Sequence, residues 1–279
     1  MKLYVVGNPI KHSMSPQIHS MWLKFHRINA HYNVLEIKEN NLPELVEKMR
    51  RDELIGFNVT LPYKTVIQKY VDQLDESANI SGSVNTVYKY KNRIFGGSTD
   101  GIGFVKTLEK DLPRSLIIKN FFIIGSGGAS RGIVFSLCKK NIGKIFLTNR
   151  SMANAKLLIK DVKEKIGFNK IYLHLWENKC IPEESNMVVN TTSVGLKKGE
   201  DIDINFDNLR KKSIIYDIIY NPLETEFLKK ANSKHLNTFN GISMLVRQAA
   251  VSFKLWFGVE INENLLNLTK QKLIKLLNE

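Results

Sequence analysis

Residues 121–150 read FFIIGSGGASRGIVFSLCKKNIGKIFLTNR, and this stretch decides the fold. An apolar run over residues 121–124 ends in a glycine-rich turn, a helical stretch follows, and a second apolar run begins after Gly143. This order predicts a strand–helix–strand unit with a phosphate-binding turn, because glycines let the backbone approach a pyrophosphate and a helix N-terminus offers free N–H groups. Ser130 stands where the usual fingerprint has its third glycine, and a residue this small still permits close packing.

The tip of the second predicted strand indicates which dinucleotide the turn would hold. An NAD site usually has Asp or Glu there, roughly 20 residues after the turn, but this chain has Thr148, Asn149 and Arg150. A guanidinium at this place can pair bidentately with an adenosine 2′-phosphate, so the sequence predicts NADP. The alternative is a glycine turn that only caps a helix in an unrelated α/β sheet.

Length and composition indicate a globular protein of one or two domains, with 279 residues of which 43% are hydrophobic. The two cysteines, Cys138 and Cys180, belong to no motif, which is typical of a reducing compartment. The first apolar run is too short for a signal peptide, and no run approaches the roughly 18 apolar residues of a membrane helix. We therefore expect a cytoplasmic protein without a membrane partner.

The formal net charge of +14 raises the question of nucleic-acid binding. The lysines are scattered along the chain without a dense basic run, so we expect a solvated surface that attracts anionic ligands and no nucleic-acid partner. The histidines at 12, 19 and 26 recur every seven residues. They lack the i, i+4 spacing and the acidic or thiolate partners of zinc sites, so no metal site is predicted.

Four polar clusters stand at the ends of predicted elements in the first hundred residues: 12–16 (HSMSP), 58–64 (NVTLPYK), 83–86 (SVNT) and 98–101 (STDG). Each has a purely structural interpretation, with Ser15 and Asp100 as helix N-caps and Lys64 as a solvated lysine. Together they supply hydroxyls, amides, an ammonium and a carboxylate, which would suit a small polyhydroxy acid. Lys64 and Asp100 would form a proton-transfer pair, but their spacing does not show whether they meet.

The chain resembles the shikimate dehydrogenase family over nearly its full length. The resemblance rests on ordered blocks: 7–10 (GNPI) with 12–16, 58–60 (NVT) with Lys64, 82–86 (GSVNT), 99–101 (TDG), 125–130 (GSGGAS), 149–150 (NR), 190–195 (NTTSVG), 216–222 (YDIIYNP), and 240–241 (NG) with 248–250 (QAA).

The resemblance implies an α/β fold of two domains with the site in the cleft between them. Residues 1–100 would form the substrate-binding catalytic domain, residues 101–240 a Rossmann-like doubly wound NADP domain, and residues 241–279 C-terminal helices that pack back on the first domain. The implied reaction is the reversible, NADPH-dependent reduction of 3-dehydroshikimate to shikimate. The protein would be a monomer or a homodimer.

The resemblance also implies site residues. Lys64 would be the acid/base residue, hydrogen-bonded through the substrate region to Asp100. The substrate would contact Ser13 and Ser15 through its carboxylate, and Thr60, Asn85, Asp100 and Gln248 through its hydroxyls, with Asn58 and Tyr220 nearby. The cofactor would contact Gly125, Ser126, Gly127, Gly128 and Ala129 at the pyrophosphate, Asn149 and Arg150 at the 2′-phosphate, the backbone of Ile218 and Gly241 at the nicotinamide, and Glu76.

The chain departs from the family pattern at two positions, and two rival functions remain possible. Ser126 replaces a frequent alanine, and Asn154 stands where many relatives have a second basic residue, with Lys156 nearby. The rivals are a quinate/shikimate dehydrogenase that uses NAD and a catalytically inactive nucleotide-binding regulator. Arg150 argues against the first, and the presence of both Lys64 and Asp100 argues against the second.

Overall fold

The computed structural model describes residues 1–113 and 119–279, whose strands form two six-stranded sheets. The first sheet contains β1 (Lys2–Gly7), β2 (His31–Glu36), β3 (Gly56–Val59), β4 (Gln73–Leu74), β5 (Thr86–Tyr90) and β6 (Arg93–Gly97). The second contains β7 (Phe121–Ile124), β8 (Ile145–Thr148), β9 (Ile171–Leu173), β10 (Met187–Asn190), β11 (Ile214–Asp217) and β12 (Asn237–Phe239).

The α-helices lie between and around these strands. They are α1 (Ser15–Phe25), α2 (Leu42–Arg50), α3 (Glu76–Ser81), α4 (Asp100–Lys110), α5 (Gly128–Cys138), α6 (Met152–Ile166), α7 (Glu226–Ser233), α8 (Ile242–Phe257) and α9 (Glu263–Asn278). Within the described ranges, no helix combines the length and the apolarity that crossing a bilayer requires.

The second sheet is parallel throughout, in the order β12-β11-β10-β7-β8-β9. Counted from β7, this is the strand order 3-2-1-4-5-6 of the Rossmann fold, which confirms the predicted doubly wound sheet. The order reverses between β7 and β10, and ligands of such sheets bind at the carboxyl ends of the strands beside this point. The glycine turn that follows β7 lies at this place.

The first sheet is mixed, in the order β2-β1-β3-β5-β6-β4. β1 pairs in parallel with β2 and β3, whereas β5 pairs antiparallel with β3 and β6. A hairpin turn at Lys91 and Asn92 joins β5 to β6, and both residues have positive φ (46° and 62°). Such a turn matches the twist of the flanking strands.

Both C-terminal helices pack on elements of the first sheet. The Trp256 indole of α8 donates to the Val87 carbonyl of β5 (3.0 Å), and the Trp22 indole of α1 donates to the Thr269 hydroxyl of α9 (2.9 Å). Apolar side chains of α8 and α9 share one buried cluster with β1 and α1. The final helices therefore complete the layer that covers the first sheet.

Two glycines let α4 lie against both α5 and α8. A Cβ placed on Gly101 would lie 2.0 Å from the Gly132 carbonyl oxygen of α5. One placed on Gly103 would lie 2.7 Å from the Gln248 backbone nitrogen of α8. No larger residue fits either contact without moving a backbone, so the first turn of α4 is fixed between the two sheets. Asp100 begins this turn.

His19 lies in the buried face of α1, where it is 1% exposed and stacks on Tyr32 with ring centroids 4.3 Å apart. Neither of its ring nitrogens has a hydrogen-bond partner among the described residues. Burial lowers the pKa of His19 from 6.5 to about 3. The folded protein therefore holds this imidazole neutral while the unfolded chain protonates it below about pH 6.5.

This difference makes the stability of the protein fall as the pH falls from about 6.5 to about 3. His19→Phe keeps the stacking and removes the titration. Lowering the pH from 7 to 5 should therefore destabilise the wild-type protein by about 2 kcal/mol more than the variant. Urea unfolding at both pH values measures it, with the exposed His31→Gln as the control. A pH-independent difference would contradict the neutral, buried imidazole.

Candidate active site

Lys64 and Asp100 form an ion pair at the junction of the two sheets. Lys64 follows β3, Asp100 begins α4, and the distance from Nζ to Oδ2 is 2.5 Å. The two side chains are only 14% and 8% exposed. The structural interpretations of these residues are therefore wrong: Lys64 is not solvated, and Thr99, not Asp100, occupies the N-cap position of α4. The two side chains therefore meet directly, and their role in proton transfer stays a prediction.

The Lys64 side chain lies beside the glycine turn of the second sheet. A Cβ placed on Gly128, the first residue of α5, would lie 3.1 Å from the Lys64 Cβ and 2.9 Å from the Ser83 hydroxyl oxygen. Only a glycine lets these two segments approach so closely. The fold thus brings the ion pair and the predicted phosphate-binding turn into one place, although they are distant in the sequence.

Asn85 holds the other oxygen of the Asp100 carboxylate. Its Oδ1 accepts from the Thr99 backbone N–H (2.8 Å), which orients the amide so that Nδ2 donates to Asp100 Oδ1 (2.9 Å). The same Nδ2 lies 3.2 Å from Gln248 Oε1, which also accepts from the Thr99 hydroxyl. Asn85 and Gln248 are buried, so the predicted polar residues of three segments form one network around Asp100.

A second layer of buried polar groups lies behind this network. Asn58 Nδ2 donates to Ser252 Oγ (3.1 Å), and its Oδ1 accepts from the Tyr32 hydroxyl (2.7 Å). Ser252 Oγ is also 2.7 Å from the Thr86 hydroxyl. Because protein atoms satisfy both ends of its amide, Asn58 supports the residues around it. Sequence reasoning missed Ser252, although it lies four residues after Gln248 and therefore on the same face of α8.

The predicted carboxylate-binding residues meet at the start of α1. The Ser13 hydroxyl accepts from the Ser15 N–H (3.3 Å), and Met14, not Ser15, is the N-cap residue. The Ser15 N–H is thus occupied and Pro16 has no N–H, so the start of α1 presents mainly hydroxyl groups. Burial raises the pKa of Tyr220, whose hydroxyl lies beside Ser13. Thr60 follows β3, and its methyl group lies 2.5 Å from a Cβ placed on Gly7 of β1.

The glycine turn has the geometry that a pyrophosphate requires. Gly125 has a φ of +111°, which favours glycine, and the Ser130 hydroxyl closes the turn by donating to its carbonyl (2.7 Å). Gly127 precedes α5, and a Cβ placed on it would meet nothing within 4 Å. No described side chain caps α5, so its N–H groups face this open space. Ser126, Gly128 and Ala129 complete the segment and are partly exposed.

The tip of β8 lies next to this turn, since the Gly125 N–H donates to the Thr148 carbonyl (2.8 Å). Asn149 and Arg150 follow directly, and the Arg150 side chain is exposed. Lys156 is also exposed, one turn into α6. Free N–H groups at α5 and an exposed guanidinium at β8 fit a dinucleotide with a 2′-phosphate.

Ile218 and Gly241 come together, but Glu76 lies elsewhere. A Cβ placed on Gly241 would lie 1.9 Å from the Ile218 carbonyl oxygen, so the two backbones are in contact. Glu76 instead pairs with Lys139 (2.6 Å), which follows the last residue of α5. This end of α5 is roughly 16 Å along the helix axis from Gly128. The structure therefore places the Glu76 carboxylate away from the glycine turn, and its implied contact with the cofactor stays a prediction.

Residues 1–113 and 119–279 contain no group of three or more His, Cys, Asp or Glu side chains placed to hold a metal ion. The histidines at 12, 19 and 26 do not converge with acidic or thiol side chains.

Comparisons with known proteins agree with this geometry. The model of the shikimate dehydrogenase substrate binding domain matches residues 5–87, and that of the shikimate 5′-dehydrogenase C-terminal domain matches residues 241–265. The NADP(+) shikimate dehydrogenase of Bacillus subtilis is 39% identical over 263 residues, which cover 94% of this chain and 93% of the relative.

Two solved structures show the same fold over nearly the whole chain. A shikimate dehydrogenase in complex with NADP⁺ has a TM-score of 0.89 at 33% identity, covering 98% of this chain and 95% of the other. The enzyme of Listeria monocytogenes, in complex with shikimate and NAD, has a TM-score of 0.86 at 30% identity, covering 98% and 96%. This chain therefore belongs to the shikimate dehydrogenase family.

Proposed function

We propose that the protein reversibly reduces 3-dehydroshikimate to shikimate with NADPH. One observation carries the proposal: the Lys64–Asp100 ion pair lies against the first turn of α5, beside an open glycine turn. A proton donor and a nucleotide site must adjoin for a carbonyl to receive a hydride and a proton together. The relatives named NADP(+) shikimate dehydrogenase and the structures containing shikimate support the choice of substrate.

The cofactor would be held at three places in the second sheet. The turn over residues 125–129 would bind the pyrophosphate through backbone N–H groups, and Asn149 with Arg150 would bind the 2′-phosphate. The adjoining backbones of Ile218 and Gly241 would flank the nicotinamide. When bound, the cofactor supplies the hydride for the carbonyl carbon.

Lys64 would supply the proton. As negative charge grows on the carbonyl oxygen, the Lys64 ammonium stabilises it and then transfers a proton from Nζ to that oxygen. A positioned general acid of this kind contributes about 10²–10⁴ in rate. Asp100 holds the ammonium through Oδ2, and Asn85 fixes the carboxylate through Oδ1. In the oxidative direction, Lys64 would take the proton back from the hydroxyl.

The substrate would be oriented from the first sheet and α8. Its carboxylate would lie at the start of α1, where the Ser13 and Ser15 hydroxyls can donate to an anion. Tyr220 lies beside Ser13 and would line the same end of the pocket. The ring hydroxyls would contact Thr60, Asn85, Asp100 and Gln248. Asn58 would not contact the substrate directly but would support the pocket through its hydrogen bonds to Ser252 and Tyr32.

Several sequence predictions stay predictions. The division into residues 1–100, 101–240 and 241–279 is consistent with two sheets and a C-terminal helix pair. The cytoplasmic location and the monomeric or homodimeric state also stay predictions.

Turnover with two substrates and two cofactors tests the proposal. Reduction of NADP⁺ and of NAD⁺ is followed at 340 nm with shikimate and with quinate. We expect the highest kcat/KM for shikimate with NADP⁺. Higher kcat/KM for quinate with NAD⁺ would establish the rival dehydrogenase. Binding of NADP⁺ without oxidation of either acid would favour the inactive regulator and overturn the proposal.

A further inference from the structure

Asp217 is a buried carboxylate that the proposed chemistry does not use. It ends β11 and is fully buried, with Oδ1 accepting from Asn190 Nδ2 (3.0 Å) and from the Ile219 N–H (3.0 Å). Its Oδ2 accepts from the Thr225 hydroxyl (2.7 Å). All three donors are uncharged, and burial raises the pKa of Asp217 to about 6. A carboxylate kept in such a place at a desolvation cost calls for a function of its own.

The partner amide has a single possible orientation. Asn190 Oδ1 accepts from both the N–H (2.9 Å) and the hydroxyl (2.7 Å) of Thr192, so Nδ2 must face Asp217. Asn190 ends β10, the strand beside β7 where the strand order reverses. The pair therefore joins the carboxyl ends of β10 and β11 at the place where ligands of this fold bind.

On the β10 side, the pair connects to the glycine turn. Thr191, next to Asn190, donates its hydroxyl to the Ile124 carbonyl (2.7 Å). The same hydroxyl oxygen would lie 2.6 Å from a Cβ on Gly125. The segment after β10 is thus packed directly on the turn proposed to hold the pyrophosphate.

On the β11 side, the pair connects to the backbone proposed to flank the nicotinamide. The Ile218 N–H donates to the Asn190 carbonyl (3.1 Å), and the Gly241 N–H donates to the Ile219 carbonyl (2.9 Å). Asp217 itself accepts from the Ile219 N–H. The Asp217 carboxylate thus adds a side-chain contact, at the Ile219 N–H, to a backbone segment that also has these main-chain hydrogen bonds.

We propose that Asp217 and Asn190 are positioning residues that fix the spacing between the glycine turn and the backbone at Ile218 and Gly241. The inference rests on the proposed function, because that spacing places the nicotinamide over the carbonyl carbon. A carboxylate suits the role since it accepts on both oxygens at once. An amide of the same shape would place its NH₂ group against Thr225, whose hydroxyl would have to change from donor to acceptor.

Asp217→Asn tests the inference. We expect kcat for shikimate oxidation to fall by about 10²-fold, since a misplacement of roughly 1 Å costs that much. KM for shikimate should stay within about threefold, because the variant leaves the substrate contacts intact. Shikimate deuterated at C3 should show a larger isotope effect than in wild type, because hydride transfer becomes more rate-limiting. The exposed Asp207→Asn is the matched control and should change none of these values.

Thr225→Val keeps the inference testable if Asp217→Asn does not fold, since it removes only the contact to Oδ2. It should lower kcat in the same direction, and Thr225→Ser, which keeps the hydroxyl, should restore it. The inference would be overturned if folded Asp217→Asn had the kcat and the isotope effect of wild type. If Asp217→Asn does not fold, the same result in Thr225→Val would overturn it. Either result would leave the proposed function intact. A wild-type protein that does not oxidise shikimate would overturn the proposed function first, and the inference with it.

Discussion

Lys64→Ala is expected to lower kcat for shikimate oxidation by about 10²–10⁴-fold, the range that a positioned acid/base group contributes. The variant removes the group that exchanges a proton with the substrate oxygen. KM for shikimate should change little, because the proposed carboxylate and hydroxyl contacts come from other residues. Asp100 keeps its hydrogen bond from Asn85, so the polar network retains one of its two donors to this carboxylate.

Steady-state kinetics with purified Lys64→Ala measure this effect, and Lys69→Ala is the matched control. Lys69 lies five residues further along the chain and is exposed, so its loss should leave kcat unchanged. Thermal unfolding of both variants shows whether the fold is intact. A folded Lys64→Ala with turnover within a few-fold of wild type would remove Lys64 from the chemistry.

Arg150→Ala is expected to weaken NADPH binding by about 10- to 100-fold, because a charge-assisted hydrogen bond contributes about 1.5–3 kcal/mol. Binding of NADH, which lacks the 2′-phosphate, should hardly change. The selectivity for NADPH over NADH should therefore fall by the same factor. Lys156 stays in the variant and limits the loss, since it is exposed one turn into α6.

Fluorescence titration with NADPH and NADH measures both dissociation constants. Arg210→Ala is the control, since Arg210 is also exposed and lies outside the proposed cofactor contacts. Its affinity for both dinucleotides should equal that of wild type. An unchanged dissociation constant for NADPH in Arg150→Ala would show that another group holds the 2′-phosphate, or that none does.

The dinucleotide-binding half could be predicted because its signal is local. The apolar run of β7, the glycine turn and the helix α5 are contiguous in the sequence, and each has its own spacing pattern. Ser130 was expected to replace a glycine without harm, and the structure shows a reason, since its hydroxyl closes the turn.

The ion pair could not be derived from spacing, because Lys64 and Asp100 are 36 residues apart. Local rules favoured a solvated lysine and a helix cap, and both interpretations are wrong because tertiary contacts prevail. The resemblance to a family supplied the pairing. The contact that it implies between Glu76 and the cofactor stays a prediction, since the Glu76 carboxylate is held by Lys139 at the far end of α5.

Other residues could not be predicted because their role depends on contacts between helices and strands that are distant in the sequence. The sequence of α4 alone does not require glycine at positions 101 and 103. The requirement comes from the close packing of α4 on α5 and α8. Asp217 ends an apolar strand, and nothing in its neighbourhood along the chain indicates that Asn190 and Thr225 converge on it. Ser252 had the clearest available signal, one helical turn after Gln248.

A crystal structure of the protein with NADP⁺ and shikimate tests the central claim most directly. The claim is that one pocket holds the Lys64 ammonium, the nicotinamide and a six-membered hydroxy acid. We predict that Lys64 Nζ lies within hydrogen-bond distance of the C3 hydroxyl, with C3 facing the nicotinamide and the 2′-phosphate on Arg150. Electron density for shikimate away from the Lys64–Asp100 pair, or for NADP⁺ away from the glycine turn, would contradict the claim.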